Sequence, residues 1–324
     1  MRISRRALLL LPACVSCRGQ SEASVIAELH RLFLEQGLGL VKPHAVEMAF
    51  FPFDGEGLSL VGSVDLMPGE FQLYRVAKDG RSFTCYPSPE GLFWSRYSLD
   101  GSPPEIYRKA PQIGYNIEFA RDNERALYQD KGKFDRVAPN GTRMGPERIW
   151  AGNARTGEFF LLGQDYSGDG MLRAQTSWGP DNERFVACLD GEIRLYTYGT
   201  WTFRVLAHGK EPRWSPDGRW IVYLGPDGRL KMGEMKDPAA FQERDLGIEA
   251  PRGVAWSPDS RFFLYATKRI HLKRVMGIYS LAVYRVSDGA TAAISAPLYD
   301  NWTNEKYGWA YLPEKLRRTR AQSR

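Results

Sequence analysis

The feature that most constrains this chain is a motif that returns. Trp214-Ser215-Pro216-Asp217-Gly218-Arg219-Trp220-Ile221-Val222-Tyr223 recurs 42 residues later as Trp256-Ser257-Pro258-Asp259-Ser260-Arg261-Phe262-Phe263-Leu264-Tyr265. A third copy, Trp178-Gly179-Pro180-Asp181-Asn182-Glu183-Arg184-Phe185-Val186, precedes the first by 36 residues. A weaker copy runs Phe119-Ala120-Arg121-Asp122-Asn123-Glu124-Arg125, and the earliest trace is Phe51-Pro52-Phe53-Asp54-Gly55. In each copy the aromatic stands three residues ahead of an aspartate.

The chemistry of the motif is that of a strand, a tight turn and a second strand. Proline sets φ, and aspartate followed by Gly, Asn or Ser accepts the left-handed position, so the chain reverses before the next apolar run. The aromatic ahead of the turn is large enough to wedge between neighbouring sheets. Further turn signals at Asp79-Gly80, Asp100-Gly101, Asp190-Gly191, Asp227-Gly228 and Asp288-Gly289 separate strand-like runs such as 192–198 and 280–286. Units of about 40 residues with four short strands each describe propeller blades. With 13% aromatic residues, 32 Gly and 20 Pro, the composition of the 324-residue chain agrees with an all-β architecture.

Counting aromatic starts gives six: Phe51, Tyr86, Phe119, Trp178, Trp214 and Trp256. A six-bladed β-propeller is the expectation, with seven blades as the alternative count. The gap of 59 residues between Phe119 and Trp178 holds an insertion, and 307–312 supplies a closing strand that removes an open sheet edge.

The run W-S-P-D-G-R followed by I-V-Y, at 214–219 and 221–223, resembles the repeat of TolB-type propellers, and the likeness covers residues 46 to 312. It implies a propeller fold and a binding or scaffolding role. No counterpart is expected for the smaller α/β domain that TolB carries ahead of its propeller. Similar repeats also occur in propellers attached to peptidases, but no G-x-S-x-G elbow occurs in this sequence.

Upstream of the repeats, residues 1–20 read as an export leader. Arg2, Arg5 and Arg6 precede an apolar run from Ala7, and small residues lead to Cys17. Ser4-Arg5-Arg6-Ala7-Leu8-Leu9 resembles a twin-arginine signal, and Val15-Ser16-Cys17 resembles the end of a lipoprotein cleavage box. Cys17 is the expected lipidation site; cleavage of a plain leader near Gly19 is the alternative. Residues 21–45 then form one short amphipathic helix and a linker, with Ser24 as cap, Val25, Ile26, Leu29, Leu32 and Phe33 on one face, and Gly37 and Gly39 as stop. Residues 313–324 form a basic tail.

The net charge of +6 is concentrated at the two ends, and no basic run lies between residues 20 and 310, so nucleic acid is not an expected partner. Cys85 and Cys188, alone in strand-like text, read as small buried hydrophobes, with a disulfide between them left open. The histidines, His30, His44, His208 and His271, show no metal-ligand spacing. Asp165 to Gly170 resembles a calcium loop in its spaced oxygens, but lacks the later bidentate glutamate and reads as a solvated turn. No metal or cofactor is expected.

Two functions of different class fit these residues. One is an envelope binding module for a protein, peptide or glycan, monomeric and touching the membrane only through a lipid anchor. The other is a propeller enzyme, lactonase- or lyase-like, acting at the central funnel. Trp178, Trp214 and Trp256 with Asp181, Asp217 and Asp259 are the structural repeat positions. Side chains alternate along a strand, so residues one and three before each aromatic are expected to face the channel. These include Glu118 and Asn116, Ser177 and Gln175, and Arg213 and Glu211, with Glu118, Glu211 and Arg213 as the charged ligand contacts. The leader supports one direct prediction: cells fed labelled palmitate should label the wild type and Cys14→Ser but not Cys17→Ser. Label retained in Cys17→Ser and lost in Cys14→Ser would move the anchor.

Overall fold

The computed structural model describes residues 11–44, 47–51, 62–65, 73–86, 93–111, 115–132, 136–137, 143–165, 175–249, 252–270, 278–294, 298–299 and 308–314. Five blades are each continuous in sequence. Blade 1 comprises Leu73–Val76, Ser82–Tyr86, Trp94–Ser98 and Glu105–Tyr107. Blade 2 comprises Tyr115–Phe119, Arg125–Lys131, Glu147–Asn153 and Glu158–Asp165, with a small ladder of Arg136–Val137 and Arg143–Met144 inserted before its third strand. Blade 3 comprises Thr176–Trp178, Arg184–Leu189, Glu192–Thr197 and Phe203–His208. Blade 4 comprises Lys210–Trp214, Trp220–Leu224, Arg229–Glu234 and Glu243–Glu249. Blade 5 comprises Arg252–Trp256, Phe262–Ile270, Ile278–Arg285 and Thr291–Ala293, with Leu298–Tyr299 also paired to its third strand.

A further four-stranded sheet is assembled from both ends of the chain. Gly308–Tyr311 pairs with Leu38–His44, which pairs with Glu47–Phe51 and then Gly62–Asp65. The first strand of this closure sheet packs against the first strands of blades 5 and 1, and the remaining first strands pack one on the next around the ring.

The expected count of six blades, with seven as the alternative, is therefore corrected to five, plus one composite sheet. Phe51 is not a blade start: it ends the third strand of the closure sheet. Tyr86 ends the second strand of blade 1, whose first strand is Leu73–Val76. The closing strand expected near 307–312 is present as Gly308–Tyr311.

The turn chemistry is as the motif requires. The residue after each aspartate lies in the left-handed region: Gly80 (φ 65°), Asn123 (58°), Asn182 (60°), Gly218 (80°) and Ser260 (60°). Asp181, Asp217 and Asp259 each accept a backbone N–H two residues on, from Glu183, Arg219 and Arg261 at 3.0, 2.9 and 3.1 Å. These aspartates hold the turn. A Cβ on Gly218 would lie 2.6 Å from the ring of Pro180, so the turns of blades 3 and 4 meet closely.

Trp178 and Trp214 are 1% exposed and Trp256 is 8% exposed, each within an apolar cluster shared with its own second strand. Cys85 and Cys188 are buried free thiols, which settles the disulfide question. Cys85 Sγ lies 3.1 Å from Ser95 Oγ, and Cys188 Sγ donates to the Gly209 carbonyl at 3.1 Å.

One helix, α1 (Leu11–Gln36), precedes the sheets. It starts well ahead of Ser24, which is therefore not a cap; its hydroxyl instead accepts from Arg285 at 3.0 Å. Gly37 ends the helix with φ 74°, its N–H bonded to the Phe33 carbonyl at 2.9 Å, and Gly39 already belongs to the closure sheet. Val25, Leu29 and Leu32 pack on Leu264, Leu281 and Trp309, so the helix covers the seam between blade 5 and the closure sheet. Residues 1–10, most of the leader, and 315–324, most of the tail, lie outside the described residues. So do 166–170 of the calcium-like loop. Replacing a buried aromatic with alanine costs about 3 to 5 kcal/mol. Trp214→Ala should lower the urea midpoint accordingly, and an unchanged unfolding curve would remove this tryptophan from the core.

Candidate functional site

The first strands of blades 2 and 4 share a local distortion. Their pairing shifts register between Tyr115 and Glu118 and between Lys210 and Arg213. At these bulges Asn116 and Glu211 take φ of 53° and 54°. Residues with side chains hold this conformation at a cost on the order of 1 kcal/mol, so the surroundings must enforce it. They do so through amides. Gln129 Oε1 accepts from Asn116 Nδ2 and from the Gln175 N–H, both at 3.0 Å, and Gln175 Oε1 accepts the Glu211 N–H at 3.2 Å. Blades 2, 3 and 4 are thereby joined by a chain of amides.

One step toward the turns lies a charged layer. Glu118 Oε1 accepts the Trp178 N–H at 3.1 Å, and the carboxylate is 2.9 Å from Arg75 and 3.4 Å from Lys78 of blade 1. Lys78 Nζ lies 2.9 Å from Ser177 Oγ and also donates to the Trp178 carbonyl, so it reaches from blade 1 past blade 2 to blade 3. Ser177 Oγ in turn accepts the Trp214 N–H at 3.0 Å. The residue before one aromatic therefore fastens the backbone of the aromatic in the next blade, twice in succession.

Burial and charge are separated in this layer. The Glu118 side chain is 7% exposed, whereas Arg75 and Lys78 keep 23% and 26%. Burial would push the Glu118 carboxyl up, but Arg75, Lys78 and Arg213 together with the Trp178 N–H hold it below the usual range. For Lys78 burial dominates and pulls its amine down to about 8, against the opposing pull of Glu118.

Of the residues expected to face the channel, Glu118, Glu211 and Arg213 are buried, while Asn116 and Gln175 are half-buried. The field of Arg213 reaches both Glu118 and Lys78, so these three share one electrostatic neighbourhood. Glu211 joins through the Gln175 bond. Arg75, Lys78 and Gln129 were not singled out in the sequence. The available signal was Val76-Ala77-Lys78-Asp79-Gly80-Arg81, which keeps the aspartate, glycine and arginine of the motif but lacks its aromatic, serine and proline. Gln129 sits on a second strand, where the motif gives no guide. Among the described residues no three His, Cys, Asp or Glu side chains converge as a metal site.

The fold has solved counterparts. The crystal structure of TolB from Acinetobacter baumannii superposes with a TM-score of 0.52 at 17% identity, covering 84% of this chain and 66% of that one. A putative TolB from Agrobacterium tumefaciens gives 0.52 at 15% identity, covering 84% and 96%. The chain thus spans just under two thirds of the Acinetobacter protein's length. No family model matches the sequence, and no curated protein does. In fold, the molecule is a TolB-like β-propeller.

The depressed Lys78 amine sets a pH dependence. The unfolded chain keeps this proton up to the ordinary 10.5 and the folded one only to about 8, so between them the unfolded state binds more protons and stability rises with pH. Cys85 and Cys188, pushed up to about 12 by burial, act in the opposite sense above their ordinary 9.0. Comparison with Lys78→Met isolates the lysine. The wild type should gain on the order of 1 to 3 kcal/mol relative to the variant between pH 8 and pH 10, read from urea unfolding. A pH-independent difference would remove Lys78 from the buried layer.

Proposed function

We propose that this chain is an exported cell-envelope propeller that acts as a binding or scaffolding module for a protein, peptide or glycan. The observation that carries the reading is the gradient along the ring interior. Half-buried Asn116 and Gln175 stand at the start of the first strands, and buried Glu211, Arg213 and Glu118 follow toward the turns. Such a graded, polar and internally braced lining suits recognition of a partner that enters from the strand-start end. In this reading Asn116, Gln175, Glu211 and Arg213 meet the ligand, and Glu118 acts from behind by orienting the cations. The TolB-like fold and the leader with Cys17 support an envelope location, with the mature protein lipid-anchored or released after cleavage near Gly19.

The test is capture from envelope extracts with the purified propeller as bait. The wild type should retain a partner that an Asn116→Ala, Gln175→Ala variant loses, with the variant's melting curve recorded alongside. A partner held equally by a folded double variant would move the site away from the ring interior.

A further inference from the structure

Large apolar side chains left exposed to solvent gather in one place. Among the described residues, Leu34 stands apart on α1, whereas Phe160, Leu161, Phe203 and Val205 lie on the outermost strands of blades 2 and 3. The strand register shows which way three of them point. Phe160 stands opposite Ala151 and Phe203 opposite Tyr196, and both partners belong to the apolar cluster between these two blades. Directly opposed residues share a face, so Phe160 and Phe203 border the same seam at the rim of the ring. Val205, two positions on, shares the face of Phe203. The three keep 47%, 52% and 44% of their surface open. The next seam is filled: Phe241 packs into the cluster between blades 3 and 4, its ring over Gly233 where a side chain would otherwise stand. No described residue plugs the seam of blades 2 and 3 in this way, and its rim stays apolar and exposed.

One end of this rim is fixed in place. Trp201, in the turn leading into Phe203–His208, stacks on Phe160 across the seam, with ring centroids 5.0 Å apart and planes within 8°, and meets Tyr198 edge-on at 4.9 Å. It holds φ 57°, a left-handed conformation rare for so bulky a side chain, with its N–H on the Thr197 carbonyl at 3.0 Å. A surface held this way loses little freedom on meeting a partner. The strand it leads into is an unguarded edge. Among the described residues Phe203–His208 pairs only with Glu192–Thr197, and an outer strand presents a row of unpaired backbone N–H and C=O groups. Blade 4 guards its own outer strand with ion pairs, Asp245 to Arg229 at 3.3 Å and Glu243 to Lys231 at 3.0 Å. Blade 3 carries Arg204 there instead, exposed, opposite Leu195 and without an ion pair in the described structure.

We propose that the outer edge of blade 3 receives an extended segment of a partner protein as a fifth strand, one in which an acidic residue stands between two apolar ones. Charge and alternation together select this occupant. Side chains at 203 and 205 face the seam with blade 2, and the one at 204 faces away from it. A strand laid beside them meets apolar, cationic and apolar positions in turn, and its complement is apolar, acidic, apolar. A second copy of this chain is a poor match, because its own Phe203–His208 strand offers another arginine in place of the carboxylate. The surface lies at the rim, apart from the ring interior, and does not depend on what that interior binds.

The probe is a dye-labelled, end-blocked peptide, Thr-Phe-Glu-Val-Thr, titrated with the full chain and followed by fluorescence polarisation. It should bind saturably, and the counterpart with lysine in place of glutamate should bind more weakly by about fivefold or more. Arg204→Glu should reverse that preference, a result that loss of fold cannot produce. Phe203→Ser should weaken both peptides with little change in melting temperature, because the side chain it replaces is half exposed. The glutamate peptide methylated on every backbone nitrogen should not bind, since it cannot donate to a strand ladder. The comparison of the two peptides needs no variant, so it decides the matter if either substitution fails to fold. No saturable binding, equal binding of the glutamate and lysine peptides to the wild type, or binding of the methylated peptide would overturn the proposal. Sedimentation showing a wild-type dimer that Phe203→Ser dissolves would assign the edge to a second copy and overturn it as well.

Discussion

One repeated hydrogen bond ties the blades into a ring. The indole N–H of Trp178 donates to the Glu118 carbonyl at 3.1 Å, that of Trp256 to the Arg213 carbonyl at 3.0 Å, and that of Trp309 to the Ala255 carbonyl at 2.9 Å. In each case the acceptor is the residue just before the aromatic of the preceding blade. A buried indole must find an acceptor, and for these three it is a carbonyl of the neighbour's first strand. The wedge therefore sets the angle between blades as well as filling space. Trp214 is the exception: it donates to the Gly218 carbonyl of its own turn at 2.9 Å. Its blade is held from the other side, by Ser177 Oγ on its backbone N–H.

This construction dictates what the interior can contain. At these two positions the side chain before the aromatic lies at the junction of two blades and is either small, as Ser177 is, or charged and ion-paired, as Glu118 is. A carboxylate that deep is tolerated only with compensating charge, and blade 1 supplies it through Arg75 and Lys78. The same groups hold three blades in register. Removing Glu118 would loosen the ring and redistribute the field at once, whereas a change at Asn116 or Gln175 acts nearer the open end.

How much of this could be read from residues alone follows from which contacts are local. The turn after each aromatic is a short-range affair of aspartate and a left-handed residue, and it was legible in the four described copies down to the residue that takes positive φ. The blade starts at Phe119, Trp178, Trp214 and Trp256 were legible for the same reason. Blade 1 was not, because Val76 stands where an aromatic is expected and the local pattern has lost its marker. That slip moved the boundary to Tyr86 and hid Arg75 and Lys78 with it. The closure sheet was half legible: Gly308–Tyr311 carries Trp309, but its partners Leu38–His44 and Glu47–Phe51 lie at the opposite end of the chain, and no local pattern announces such a pairing. Glu118 and Arg213 were found by alternation along a strand, yet their engagement with other blades depends on distances of 60 or 43 residues along the chain, as for Glu118 with Trp178 and for Arg213 with Trp256.

A ring closed by joining its ends has one junction made by strand pairing alone, between Gly308–Tyr311 and Leu38–His44 of the closure sheet, and α1 packs beside it over the seam with blade 5. Glu28 pairs with Arg261 and with Arg285, the latter at 2.9 Å, and Glu22 accepts the Ala293 N–H at 3.1 Å from the outermost main strand of blade 5. On the other side of the seam, the Gly37 carbonyl accepts the Leu312 N–H at 2.8 Å. The helix thus caps an exposed strand edge on one sheet and anchors the final strand of the other, two sites from which an open propeller would fray. All of these contacts involve residues from Glu22 onward. Processing at Cys17 or near Gly19 would leave them in place, so the proposed leader and the clamp are separable functions of a single continuous helix.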